Sequence, residues 1–272
     1  MFLPSYHKGA LPTPDGALMP YVIVGDGPVP VVVIPSGGDG LTVVSDAALR
    51  LAWFFRKRAR DYRVLILGRR QPIPLDHGVE RHAEDMIWAM EQLGWGAAVL
   101  ECNSAGGPVG QWISVKRPDL ARVLILSCAL HRADDHFRSV VRHWHTLADE
   151  RRWPELNWSS IEYTYRRETV KKLRPLKPLL RLISRPRYPE RILRIFEELF
   201  DLDNRPILPR ITTPTLVIGG EDDRLIGASI QREMAGLLPS SSLKLYPGYG
   251  HGNDLENPDY QRQVDEFVRR FW

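Results

Sequence analysis

The chain has 272 residues, 43% of them hydrophobic and 26% charged, and a formal net charge of +4. These values are ordinary for a globular protein and leave room for one large α/β domain with an insertion. No apolar stretch approaches a membrane span, the N-terminal residues around Pro4 and Lys8 lack the apolar core of a signal peptide, and two cysteines are too few for a disulfide framework. A cytoplasmic protein is expected, with Cys102 and Cys128 as small core residues at the ends of buried strands. Residues 131 to 210 hold 18 Lys and Arg against 12 Asp and Glu, so this stretch carries +6 and the rest −2. The interspersed acids read as a solvated helical surface. No nucleic-acid motif accompanies the charge, and neither a nucleic acid nor a membrane is expected as a partner.

In chain order, the first elements are hairpins. Short apolar runs at 9–11, 18–24 and 29–34 are separated by the turn signals Pro14-Asp15-Gly16 and Gly25-Asp26-Gly27. A helix opens at Ser45-Asp46-Ala47-Ala48-Leu49 and is expected to run to about residue 60, followed by a strand at 63–68. Ala83, Met86, Ile87, Met90 and Leu93 recur at helical spacing, and Gly94 ends that helix. Ala97-Ala98-Val99-Leu100 and Val123-Leu124-Ile125-Leu126 read as buried strands. Between about 133 and 206 no strand is evident. Aromatics (Trp144, Trp153, Trp158, Tyr163, Tyr165) and recurrent prolines point to an inserted helical lid, with some aromatics facing a pocket. His136, His143 and His145 lack the acid or cysteine that would complete a metal set. A strand at 214–219, a helix at 228–238, a strand at 242–246 and a helix at 258–271 finish the chain. Alternation of this kind predicts a mostly parallel sheet covered on both faces. The expected division is a core of residues 1–132 and 207–272 with a lid of 133–206. The apolar Phe271-Trp272 is left open between docking on the body and docking on a partner, and a homodimer is left open as well.

One segment carries the chemistry. Cys102-Asn103-Ser104-Ala105-Gly106-Gly107 lies between a buried strand and the helix beginning near Pro108. A serine flanked by small residues at such a corner is held out at the edge of the sheet. Alone, the pattern also suits an ordinary helix N-cap. Two downstream segments shift the balance. Residues 215–223 form a β-branched strand ending in Gly219-Gly220-Glu221-Asp222-Asp223, and His251 stands between Gly250 and Gly252. Spacing from Gly220 favours Asp223 over Asp222 as the partner acid. The order Ser, Asp, His is that of the α/β-hydrolases.

Over nearly its full length the chain resembles an α/β-hydrolase-fold enzyme. Ser36-Gly37-Gly38-Asp39-Gly40 resembles the family's His-Gly-Gly-x-Gly, Gly220-Glu221-Asp222-Asp223 its Gly-x-x-Asp, and Gly250-His251 with Glu256-Asn257-Pro258 its histidine segment. The resemblance implies a mostly parallel eight-stranded sheet flanked by helices, with the lid inserted after the sixth strand. It also implies cofactor-free chemistry with Ser104 as nucleophile, His251 as base and Asp223 orienting the imidazole. The backbone N–H groups of Ala105 and Gly38 are the expected oxyanion donors. Three places depart from the pattern: Ser36 stands for the usual histidine, Cys102 for the usual glycine, and Gly68-Arg69-Arg70-Gln71-Pro72-Ile73-Pro74 for an Asp-x-Arg-Gly-x-Gly-x-Ser run. A small ester or lactone is the expected substrate. Asn103 makes the elbow similar to that of meta-cleavage-product hydrolases, so carbon–carbon hydrolysis of an anionic dienoate is the first alternative. A non-catalytic binding protein on the same fold is the second.

Overall fold

The computed structural model describes residues 3–183 and 185–272. Its strands are β1 (Tyr6–Pro12), β2 (Leu18–Val24), β3 (Val29–Ile34), β4 (Tyr62–Leu67), β5 (Ala98–Asn103), β6 (Ala121–Ser127), β7 (Thr215–Gly220) and β8 (Ser241–Tyr246). They form one eight-stranded sheet in the order β1-β2-β4-β3-β5-β6-β7-β8. The β1–β2 and β2–β4 pairs are antiparallel and all others parallel. The central strands are near-continuous runs of Val, Ile and Leu because both of their faces are covered.

The helices are α1 (Ala48–Phe55), α2 (Val79–Gln92), α3 (Gly107–Lys116), α4 (Asp135–Asp149), α5 (Trp153–Thr164), α6 (Arg167–Leu173), α7 (Leu180–Ile183), α8 (Pro189–Phe200), α9 (Ala228–Leu237), α10 (Asn253–Glu256) and α11 (Tyr260–Phe271). Two apolar layers result. On one face Ala48, Ala52 and Phe55 of α1 join Val264, Phe267 and Val268 of α11 over Val31, Val99 and Ile125. On the other, α2, α3 and α9 pack over Val32, Leu100 and Leu124, and the same layer continues into the inserted helices through Phe137, Val141, Leu156 and Phe196. Helix α8 buries Ile192, Ile195, Phe196 and Leu199, the i, i+3, i+4, i+7 stripe of an amphipathic helix.

Helices α4 to α8 all fall between β6 and β7. Where the insertion leaves and rejoins the sheet its two ends meet: Ala133 N–H donates to Leu202 O at 2.9 Å and Asn204 N–H to His131 O at 2.7 Å. One expectation is corrected. Helix α1 stops at Phe55, not near residue 60, because the chain turns so that buried Arg58 reaches Glu101 at 2.8 Å across the sheet. The C-terminal tail docks on the body, where Arg122 donates to the carbonyls of Phe271 (3.1 Å) and Trp272 (2.5 Å) and lies over the Trp272 ring. Among the described residues no helix is long and apolar enough to cross a membrane.

Candidate active site

The elbow follows from local chemistry. Strand β5 ends at Asn103, and Ser104 turns into the left-handed region with φ 51°. A non-glycine residue held there stores about 1 kcal/mol, a strain concentrated at functional sites. Gly106 is required by close approach, since a Cβ at that position would collide with the Ile34 carbonyl. Cys102 fits where glycine is usual because its Sγ packs against Gly110 of α3, a position with no room for a side chain. Burial pushes the Cys102 thiol well above its ordinary range, so it stays protonated.

Ser104, His251 and Asp223 meet above the carboxyl edge of the sheet. Ser104 Oγ lies 3.0 Å from His251 Nε2, and His251 Nδ1 lies 2.9 Å from Asp223 Oδ2. The other carboxylate oxygen of Asp223 accepts the N–H groups of Leu225 (2.9 Å) and Ile226 (3.0 Å), which fixes its plane. Asp222 is exposed and accepts the Gly248 N–H at 3.1 Å, away from the imidazole. Gly220 lets the histidine loop reach the strand end, since a Cβ there would strike the Tyr249 carbonyl. Burial alone would lower the His251 pKa. The Asp223 carboxylate outweighs it, through charge and hydrogen bond, and the net shift is upward. Burial likewise opposes ionisation of Asp223, yet His251 and the two backbone N–H groups hold its pKa below the usual value. A chain of this kind can take a proton from the hydroxyl and return it to a leaving group.

The segment expected to supply the Gly38 oxyanion donor is the 3-10 turn Gly37–Gly40. Its N-cap is Ser36, whose Oγ accepts the Gly38 N–H at 3.3 Å, a long bond. Behind this loop lies a buried ionic cluster that sequence reasoning did not find. Arg69 is fully buried and donates to the carbonyls of Ala105 (3.0 Å) and of Pro35 and Ser36 (both 3.4 Å). The Asp39 carboxylate accepts the Arg69 N–H at 2.8 Å and pairs with Arg191 of α8 at 2.8 Å. Glu198, also on α8, stands 3.5 Å from Arg69 and 2.8 Å from His82. Burial lowers the His82 pKa despite Glu198. Arg69, in the segment that departs from the family pattern after β4, therefore ties the Gly37–Gly40 loop to the elbow. The only advance signal was a charged residue, Asp39, inside a glycine-rich loop.

A cavity of ≈ 250 Å³ opens over Ser104. Its walls are Leu41, Phe137, Val141, Trp144, Leu156, Ile192, Phe196, Leu199 and Leu225, with Asn103, Ser160, Thr164 and Asp254 as polar points. Among the described residues no lysine or arginine lines it. Burial pushes the Asp254 carboxyl up to about 6. Of the five aromatics singled out in the sequence, Trp144 alone lines this cavity. Its indole N–H is satisfied by Ser159 Oγ at 2.9 Å. His136 and His145 bond elsewhere, to the Arg224 carbonyl and to Glu197.

Strand order, elbow and inserted helices define an α/β-hydrolase-fold enzyme. More particularly, the chain belongs to the serine aminopeptidase S33 family, whose family model matches residues 77–257. A protein of Stutzerimonas stutzeri that bears the name "Putative carbamate hydrolase RutD" is 25% identical over 224 residues, covering 75% of this chain and 80% of its own length. Among solved structures, an α/β hydrolase from a Medee basin deep-sea metagenome superposes with a TM-score of 0.83 at 18% identity, over 96% of this chain and 97% of that one. The enol-lactonase of Burkholderia xenovorans does so with a TM-score of 0.78 at 18% identity, over 96% and 100%.

Proposed function

We propose that the protein is a serine hydrolase that cleaves a small, uncharged ester or lactone through an acyl-enzyme intermediate. The observation that carries this reading is the hydrogen-bonded chain from Ser104 Oγ through His251 to Asp223. Ser104 attacks the carbonyl carbon as its proton passes to His251 Nε2. Asp223 keeps the ring in the tautomer with Nδ1 protonated and steadies the imidazolium. The oxyanion that forms is met by the backbone N–H groups of Ala105 and Gly38, and the weak Ser36 bond to Gly38 yields to the stronger acceptor. Collapse expels the alcohol with the proton from His251, and water, activated by the same base, releases the acid.

The cavity favours a neutral acyl group, since its walls are apolar and its charged residue beyond the histidine is an acid, Asp254. That composition disfavours the anionic dienoate, because the cations of the lid do not line it. A carbamate carbonyl suits the same machinery, and the similarity to proteins named as carbamate hydrolases supports it as a second reading. Aryl esters of graded acyl length, lactones, N-alkyl carbamates and a dienoate, assayed side by side, test the proposal. Short neutral esters or lactones turn over fastest. Preference for the dienoate, or no turnover of any, would count against it.

The pH profile follows from His251, which acts only when neutral. Its pKa is raised, so kcat/KM falls with acid along a limb centred above 6.5. Asp223→Asn removes the main cause of the raise and leaves only the smaller effect of the Asp254 charge to oppose burial. The limb then moves to lower pH while kcat drops about 10⁴-fold. Initial rates across pH for both proteins check it; a limb that stays in place means that another group titrates.

A further inference from the structure

The positive charge of this chain is gathered in one run. Residues 166 to 182 hold seven Lys or Arg and one acid, Glu168, a net of +6 in a chain whose total is +4. Helix α6, a 3-10 turn at Arg174–Leu179 and α7 make the run almost continuously helical. Arg166 pairs with Glu256 at 3.8 Å. Arg167, Lys171, Lys172, Arg174, Lys177 and Arg181 have no ionic partner among the described residues. Leu176, Leu179 and Leu182 are 53%, 52% and 81% exposed. Leu176 and Leu179 are stacked on one stripe of the 3-10 turn, with Leu182 three residues further on in α7; Arg174 and Lys177 share a second stripe, with Lys171 three residues before them in α6. A second observation comes from a cleft of ≈ 410 Å³ lined by Arg167, Lys171, Arg174 and Arg224, where Glu162 is the one acid.

We propose that this face of the inserted helices docks on an anionic phospholipid surface, with the three leucines entering the boundary between headgroups and acyl chains and a lipid phosphate seated among Arg167, Lys171 and Arg174. Unpaired cations complement the negative potential of such a surface, and exposed leucines gain by leaving water there. A single-stranded nucleic acid is the other polyanion to weigh, but it is gripped by exposed aromatic rings. Here the exposed apolar groups are leucines, and the ring beside them, Trp158, is buried beneath Lys177. The docking face packs on α5, whose opposite side lines the cavity through Leu156, Ser160 and Thr164. A bilayer would thus lie one helix away from the reacting centre. The proposal departs from the sequence expectation of a protein without a membrane partner.

Co-sedimentation of the full chain with vesicles tests it, using phosphatidylcholine alone or mixed equally with phosphatidylglycerol. The protein partitions to the mixed vesicles and not to phosphatidylcholine. The triple variant Lys171→Glu, Arg174→Glu, Lys177→Glu lowers partition about 100-fold. Leu179→Ser with Leu182→Ser lowers it about tenfold at constant salt. Circular dichroism of each variant confirms folding, and ester hydrolysis without vesicles is retained. Three results would overturn the proposal: no partition to the mixed vesicles, partition indifferent to the leucine changes (ionic adsorption only), or tighter binding to a single-stranded oligonucleotide than to vesicles.

Discussion

Ser104→Ala will reduce ester turnover by about 10⁴- to 10⁶-fold while leaving the fold intact, because loss of the nucleophile removes the acyl-enzyme route and leaves only binding and oxyanion contacts. The fold survives because Ser104 Oγ makes one hydrogen bond, to His251, and the elbow is held by Gly106 against Ile34 and by the Arg69 guanidinium on the Ala105 carbonyl. Steady-state rates on a short aryl ester, with thermal melts of both proteins, check this. Turnover above about 1% of the parent rate would mean that His251 activates water directly on the substrate, and the covalent route would be wrong.

The second large effect is on stability. Asp39 and Arg191 are both almost fully buried, and the same carboxylate receives the Arg69 backbone N–H. Asp39→Ala strands a guanidinium in the interior, and the expected loss is about 3–5 kcal/mol, or roughly 10 °C in melting temperature. Removing both charges together, Asp39→Ala with Arg191→Met, should cost far less than the sum of Asp39→Ala and Arg191→Met made singly, since no unpaired ion is then left. The pair also joins α8, which lines the cavity with Ile192, Phe196 and Leu199, to the loop carrying Gly38. The single variant therefore loses kcat as well as stability. Chemical denaturation of the four proteins of the cycle measures the coupling. Additive losses would show that the pair is not a coupled unit.

Legibility in the sequence tracked locality. The elbow, the strand before Asp223 and the glycines around His251 are each written within about ten residues, and small residues announce tight backbone approach directly. Asp223 was separable from Asp222 because strand spacing decides which carboxylate clears the sheet edge. The Arg69–Asp39–Arg191 cluster was not legible, because its partners lie 30 and 152 residues apart and charged residues ordinarily face water. The early end of α1 was hidden for the same reason: Arg58 leaves a helical pattern to meet Glu101 on a distant strand. The basic stretch of residues 131 to 210 reads in the sequence as a solvated helical surface, and among the described residues none of its cations lines the cavity.

The central claim is that Ser104 is activated by His251. Incubation with a fluorophosphonate followed by intact mass and peptide mapping tests it most directly. One adduct on Ser104 is predicted, forming at least about 100-fold more slowly in His251→Ala. No adduct on the parent protein, an adduct on another residue, or labelling of Ser104 at an unchanged rate without His251 would contradict it.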